Sequence, residues 1–182
     1  SPDRSALLEQ LQSQTIKEIC DSDWKDLTIV RLPEIPNFNL LVGWTGQVAI
    51  TDSLIQATEK KRKVETDSAF YKEFLAKSHA IVQGLQSAWN EQDIPALQEG
   101  IRANRALLNE FAQEMQLEIE TPALQTLCDI AEQNGACAKT SGAGGGDCGI
   151  CFTQNETQRQ QIETQWAKAQ IQVLPLSIAE AW

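Results

Sequence analysis

The residue types best suited to chemistry lie in one run, Lys139-Thr140-Ser141-Gly142-Ala143-Gly144-Gly145-Gly146-Asp147-Cys148. So much side-chain-free backbone weakens a strand, and the segment reads as a turn that something approaches closely. Its flanks, Ala136-Cys137-Ala138 and Cys148-Gly149-Ile150-Cys151-Phe152, are short apolar runs with the character of buried strands, which favours a hairpin over a flexible linker. No Lys-Ser or Lys-Thr follows the glycines, and a strand rather than a helix comes next. The run is therefore neither a P-loop nor a dinucleotide fingerprint. What remains is a turn whose backbone N–H groups suit phosphate or a developing negative charge.

The elements that must position this turn follow from periodicity. Residues 4 to 20 carry Leu8, Leu11 and Ile19 at helical spacing, and Leu27 to Leu32 alternate like a strand. Phe38 to Thr45 reads as a strand ending at Gly46, followed by a short helix from Thr51 or Asp52 to about Lys61. Tyr71, Leu75, Val82, Leu85 and Trp89, reinforced by Phe74 and Ile81, form a helical stripe; another helix runs from about Ile94 to Met115. Thr121 caps a further helix, with Pro122 in its first turn and Gly135 past its end. After the hairpin come a helix from about Glu156, carrying Ile162, Trp166 and Ala169, and a last strand through Ile171, Val173 and Leu174. The order β-α-β-β-α-β predicts an α+β fold, a ferredoxin-like split antiparallel sheet with helices on one face and a helical insertion of the kind that roofs a substrate cleft.

On the stripe Leu97, Ile101, Asn104, Leu108, Phe111 and Met115, Asn104 is the single polar member. A buried amide must find partners or cost about 1 to 3 kcal/mol, so Asn104 either braces a neighbouring loop or meets a ligand. Arg105 beside it pairs with phosphate through its planar fork or is an ordinary exposed helix arginine.

Composition narrows the classes. The 182 residues suffice for one core, 42% of them are apolar, and the net charge of −10 argues against nucleic acid or an anionic membrane as partner. The basic run Lys60-Lys61-Arg62-Lys63 reads as a solvated helix end. No apolar stretch approaches the roughly 18 residues that span a bilayer, no signal peptide is expected, and the cytoplasm is the expected location. Five cysteines do not form a disulfide framework. Cys148-Gly149-Ile150-Cys151 matches a redox spacing, but along a strand residues three apart point to opposite faces. With His79 the sole histidine, no zinc set is completed, and no metal site is expected.

The glycine run resembles the third conserved motif of the GHMP kinases, small-molecule kinases acting on galactose, homoserine, mevalonate and phosphomevalonate. Its ending Gly-Gly-Gly-Asp-Cys-Gly is similar to that of the phosphomevalonate kinase branch. Val42-Gly43-Trp44-Thr45-Gly46 resembles the Gly-Trp-Thr segment early in the C-terminal half of those enzymes. Asn104-Arg105-Ala106-Leu107-Leu108, followed by Ile119-Glu120-Thr121-Pro122-Ala123-Leu124, resembles a third segment in the family's order. Val48 departs from the usual proline, and Ile50-Thr51 from a more Ser-rich stretch.

The resemblance implies a GHMP kinase C-terminal domain over residues 1–182, with residues 1–26 a helix and connection from an N-terminal half. That half is expected to hold ATP, Mg²⁺ and the catalytic residues, so no catalytic residue is expected here and the chain alone is expected to be inactive. The whole enzyme is expected to transfer the ATP γ-phosphoryl group to 5-phosphomevalonate. In this setting Ser141 would offer a hydroxyl, Gly142, Ala143 and Gly144 backbone donors, and Gly145 and Gly146 a tight path. Asp147 would cap the turn or orient a cation on the substrate, and direct repulsion between carboxylate and phosphate favours the cap. Lys139 would face phosphate or solvent, and Trp44 and Thr45 would line the domain junction. A paralogous mevalonate kinase or diphosphomevalonate decarboxylase, and a noncatalytic ferredoxin-like interaction module, stay open as alternatives.

Overall fold

A computed structural model describes residues 11–12, 14–21, 32–36, 38–47, 68–142 and 144–176. The expected strand at 27–32, the helix at 51–61, the basic run 60–63, Val48, Ile50-Thr51 and Ala143 lie wholly or largely outside them. The chain forms two compact units, Ser1–Pro33 and Glu34–Trp182.

In the first unit, helix α1 spans Ile16–Cys20. The continuous helix expected over 4–20 is broken here. Thr15 takes an extended conformation and starts a new helix with a capping box: its hydroxyl accepts the Glu18 N–H at 3.3 Å, and the Glu18 carboxylate accepts the Thr15 N–H at 2.8 Å. These bonds hold the Glu18 carboxyl below its ordinary range.

In the second unit the order is β1 (Asn39–Trp44), α2 (Ala69–Glu91), α3 (Ile94–Met115), α4 (Pro122–Gln133), β2 (Cys137–Thr140), β3 (Cys148–Thr153), α5 (Glu156–Lys168) and β4 (Gln172–Val173). The strands form one antiparallel sheet in the order β2-β3-β1-β4, the split β-α-β arrangement anticipated from the sequence. Register pairs Leu41 with Cys151 and Ala138 with Cys151, so these three share a face with Gly43 and Gly149. Against that face pack Leu127, Cys128 and Ala131 of α4 and Ile162 and Trp166 of α5. Trp166 is fully buried, and its indole N–H donates to the Leu127 carbonyl at 3.0 Å, so the large ring carries no unsatisfied donor into the core. Both sheet glycines exist to admit these helices. A Cβ on Gly43 would come within 2.8 Å of Leu127 and 2.9 Å of Trp166, and one on Gly149 within 2.6 Å of Leu127.

Each long helix begins with a side-chain cap: Ser68 for α2, Asp93 for α3, Thr121 for α4 and Asn155 for α5. Helices α2 and α3 form the insertion, and the packing face of α2 corrects the expected stripe. Phe70, Tyr71 and Phe74 pack on Phe111, Ala112, Met115 and Ile119, and Leu85, Ala88 and Trp89 pack around Leu97 and Ile35. Leu75 and Val82 are instead 48% and 55% exposed. The two candidate stripes lie only about 100° apart on a helix, and the aromatic partners on α3 select the first. Along α3 the buried residues are Leu97, Gln98, Ile101, Leu107, Phe111, Ala112 and Met115, leaving Asn104 and Leu108 half-buried. The insertion reaches the opposite face of the sheet at Phe152, which stacks on Phe38 at 5.0 Å between ring centroids and meets Trp89 edge-on.

Candidate functional site

The glycine turn joins β2 to β3, and its conformation requires glycine. Gly142, Gly144, Gly145 and Gly146 have φ of 66°, 76°, 79° and 137°, in the region where a side chain is strained. The close approach read from the sequence is met by the protein's own backbone at Gly144, where a Cβ would strike the Ile119 carbonyl oxygen and lie 2.6 Å from Ile119 Cγ2. The next residue, Gly145, donates its N–H to that same carbonyl at 2.8 Å. Around Gly142, by contrast, a Cβ would meet nothing within 4 Å.

Asp147 locks the turn to the end of β1. Its carbonyl accepts both the Thr45 N–H, at 2.8 Å, and the Thr45 hydroxyl, at 2.9 Å, while its own N–H donates to the Gln47 carbonyl at 2.7 Å. Asp147 has φ of 52°, a left-handed conformation that aspartate tolerates better than most residues. At the other end the Ser141 N–H closes the hairpin on the Cys148 carbonyl at 2.9 Å. The amides of Ser141, Gly145 and Asp147 are thus engaged within the protein. Those of Gly142, Gly144 and Gly146 make no hydrogen bond to a described residue.

Beside the turn, Trp44 is 37% exposed and pairs across the sheet with Cys148. Lys139 pairs with Ile150 on this same open face, and its ammonium donates to the Thr140 carbonyl at 2.7 Å. Burial pulls its pKa below the ordinary lysine value. Cys148 is half-buried on the open face while Cys151 is fully buried on the other, so the two thiols of the C-x-x-C spacing diverge as strand geometry dictates. Burial pushes Cys128 up to about 12 and Cys137 up to about 11, so neither is a thiolate near neutrality. Among the described residues no group of three His, Cys, Asp or Glu side chains is placed to hold a metal ion.

The remaining sequence candidates sit on α3. Asn104 is half-buried, and its side-chain amide forms no hydrogen bond with a described residue. Arg105 is engaged: its Nε and Nη2 donate to the two Glu120 oxygens at 2.8 and 2.5 Å, and Nη2 reaches Asp129 at 3.0 Å. The bond to Glu120 raises its pKa further. With Arg102, Ala106, Asn109 and Glu132, Arg105 lines a cavity of about 290 Å³, but Glu120, Asp129 and Glu132 already neutralise both guanidinium groups there. Sequence reasoning gave no role to Ile119, Glu120 or Asp129. The available signals were Gly144, since a glycine in such a run announces that some backbone comes close, and the family-like segment that contains Ile119 and Glu120.

A profile described as GHMP kinases C terminal matches residues 82–172. The chain belongs to the GHMP kinases, and the part it carries is their C-terminal domain. Among particular relatives, the phosphomevalonate kinase of Streptomyces sp. (strain CL190) is 34% identical over 181 residues, covering 98% of this chain and 48% of its own. A protein from Listeria innocua superposes with a TM-score of 0.83 at 31% identity, over 96% of this chain and 48% of that one. The Streptococcus pneumoniae phosphomevalonate kinase, solved with phosphomevalonate and AMPPNP, superposes with a TM-score of 0.75 at 27% identity, over 96% and 49%. The chain thus spans about half the length of the relatives it matches.

Proposed function

We propose that this chain is the C-terminal half of a phosphomevalonate kinase, an enzyme that moves the γ-phosphoryl group of ATP onto the phosphate of 5-phosphomevalonate to give the diphosphate. One observation carries the reading: a turn of positive-φ glycines, tied to the end of β1 through Thr45 and Asp147, with the Gly142, Gly144 and Gly146 amides left unengaged by described residues. Identity of 34% to a phosphomevalonate kinase along nearly the whole chain supports the substrate. Phosphoryl transfer asks a protein chiefly to position reactants and to neutralise charge on the migrating group. In this chain Ser141 and the free turn amides bind anionic oxygens of the acceptor, and Gly145 and Gly146 keep the path tight. Asp147 acts through its backbone, and Trp44 and Thr45 line the seam with an N-terminal half that holds ATP, Mg²⁺ and the catalytic residues. The Mg²⁺ ligands are assigned to that N-terminal half, and none to this chain. Residues 1–26 lead in from the N-terminal half. The location is the cytoplasm, where cysteines such as the four described here stay free thiols.

The test is turnover by the full-length polypeptide with Mg·ATP and either 5-phosphomevalonate or mevalonate. Phosphorylation of the first and not the second is expected, with no activity from the 182-residue chain alone. Preference for mevalonate would overturn the reading.

A further inference from the structure

We propose that the Arg105–Glu120 ion pair is a positioning element for the glycine turn, acting through the Ile119 carbonyl; this rests on the reading of that turn as the acceptor-phosphate site. The turn is moulded on Ile119, whose carbonyl takes the Gly145 N–H at 2.8 Å and leaves no room for a side chain on Gly144. Two anchors hold Ile119. Its side chain is buried with Phe111, Ala112 and Met115, which fixes its depth but leaves the peptide free to rotate. The adjoining Glu120, whose side chain is only 7% exposed, fixes the rotation. Both its oxygens are taken by the Arg105 fork, and a third bond comes from Asn109 Nδ2 at 3.2 Å. Arg105 also reaches Asp129, so one planar group ties α3, the α3–α4 connection and α4 together at the residue next to the turn's support. A buried pair adds little net stability compared with apolar residues of the same size, whereas a bidentate fork gives direction. Direction is what a carbonyl supporting a phosphate-binding turn needs.

The test uses the full-length polypeptide with Glu120→Gln, Arg105→Lys and the double variant Arg105→Met with Glu120→Met. The double variant removes both charges and leaves no buried ion unpaired. Amide hydrogen exchange is read at Gly145, the turn amide bonded to Ile119, with Leu41 and Cys151 in the sheet as controls, alongside kcat/KM for 5-phosphomevalonate and KM for ATP. In the double variant, turn exchange is expected to quicken about tenfold, the loss of roughly one net hydrogen bond, while the sheet amides hold. Acceptor kcat/KM is expected to fall about 10- to 100-fold, the scale of a small misplacement, with KM for ATP unchanged and Arg105→Lys retaining part of the activity. A folded double variant with wild-type turn exchange, or with equal loosening of turn and sheet, overturns the proposal. If the wild type fails to phosphorylate 5-phosphomevalonate while the turn still loosens selectively, the coupling stands and the substrate reading falls.

Discussion

The two faces of the sheet are built for different ends. Under α4 and α5, Leu41, Ala138 and Cys151 are at most 3% exposed, and even a methyl group on Gly43 or Gly149 would collide with a helix. On the opposite face Leu40 and Trp44 are 38% and 37% exposed, and Lys139 and Cys148 stand half-buried beside the glycine turn. Close packing makes the first face intolerant of change in stability; at the turn end of the second face, away from the packed Cys137 and Phe152, sparser packing leaves side chains free to meet something else. Substitutions on the sealed face should therefore be read in unfolding, and substitutions at the turn in turnover.

The largest effect is expected from Leu127→Ala. Leu127 is fully buried, touches the space over both sheet glycines and accepts the Trp166 indole through its backbone, so truncation leaves a cavity that α5 cannot fill. A loss of about 2 to 5 kcal/mol in urea unfolding is expected, with little change in KM for material that remains folded. A loss below the range would mean that the sealed face is looser than it looks.

Gly144→Val comes next and should separate the faces most sharply. The new side chain meets the Ile119 carbonyl in a backbone conformation that β-branched residues avoid, so the turn must leave its support. Turnover by the full-length enzyme is expected to fall at least about 100-fold while the unfolding midpoint shifts much less. Unchanged turnover would make the turn a mere connection. Gly142→Ala has the same φ penalty with open space around it, and should cost only about 1 kcal/mol, with activity largely kept.

These contrasts also mark what could be read from the sequence. The strand order was legible from the β-α-β-β-α-β element order, and the bounds of α3 from apolar spacing between Ile94 and Met115, which acts locally. The turn was legible because consecutive glycines declare unusual backbone. The outward placement of Leu75 and Val82 was not, because α2 carries two plausible stripes and only contact with Phe111 and Leu97 chooses between them. Nor was the Arg105–Glu120–Asp129 set. Its members lie 15 and 24 residues apart on separate elements, and an ion pair across that distance has no local pattern. The break before Thr15 was missed for a different reason: the apolar spacing through Ile19 outweighed a Thr-x-x-Glu capping box that was in plain view.

The smallest effect belongs to Lys139, and its sign distinguishes the open face from an ordinary core. Lys139 is half-buried, with one hydrogen bond to the Thr140 carbonyl, and burial lowers its folded pKa below the ordinary lysine value. Because the unfolded chain binds the proton more tightly, protonation favours unfolding. Stability therefore rises with pH between the lowered folded value and the unfolded value, and below that window a constant penalty applies. Lys139→Met keeps the apolar stem and removes the ammonium, so it should raise the thermal midpoint slightly at pH 7. The gain over wild type should shrink as the pH rises through the lowered folded value towards the ordinary lysine value, above which the side chain is neutral in both states. Differential scanning of the two proteins from pH 7 to about 10 reads this directly, since all other titrations cancel in the difference. A midpoint that falls on substitution would mean that the ammonium earns more from the Thr140 carbonyl than it loses in desolvation, and Lys139 would then belong with the residues that hold the sheet rather than with the face left open beside the turn.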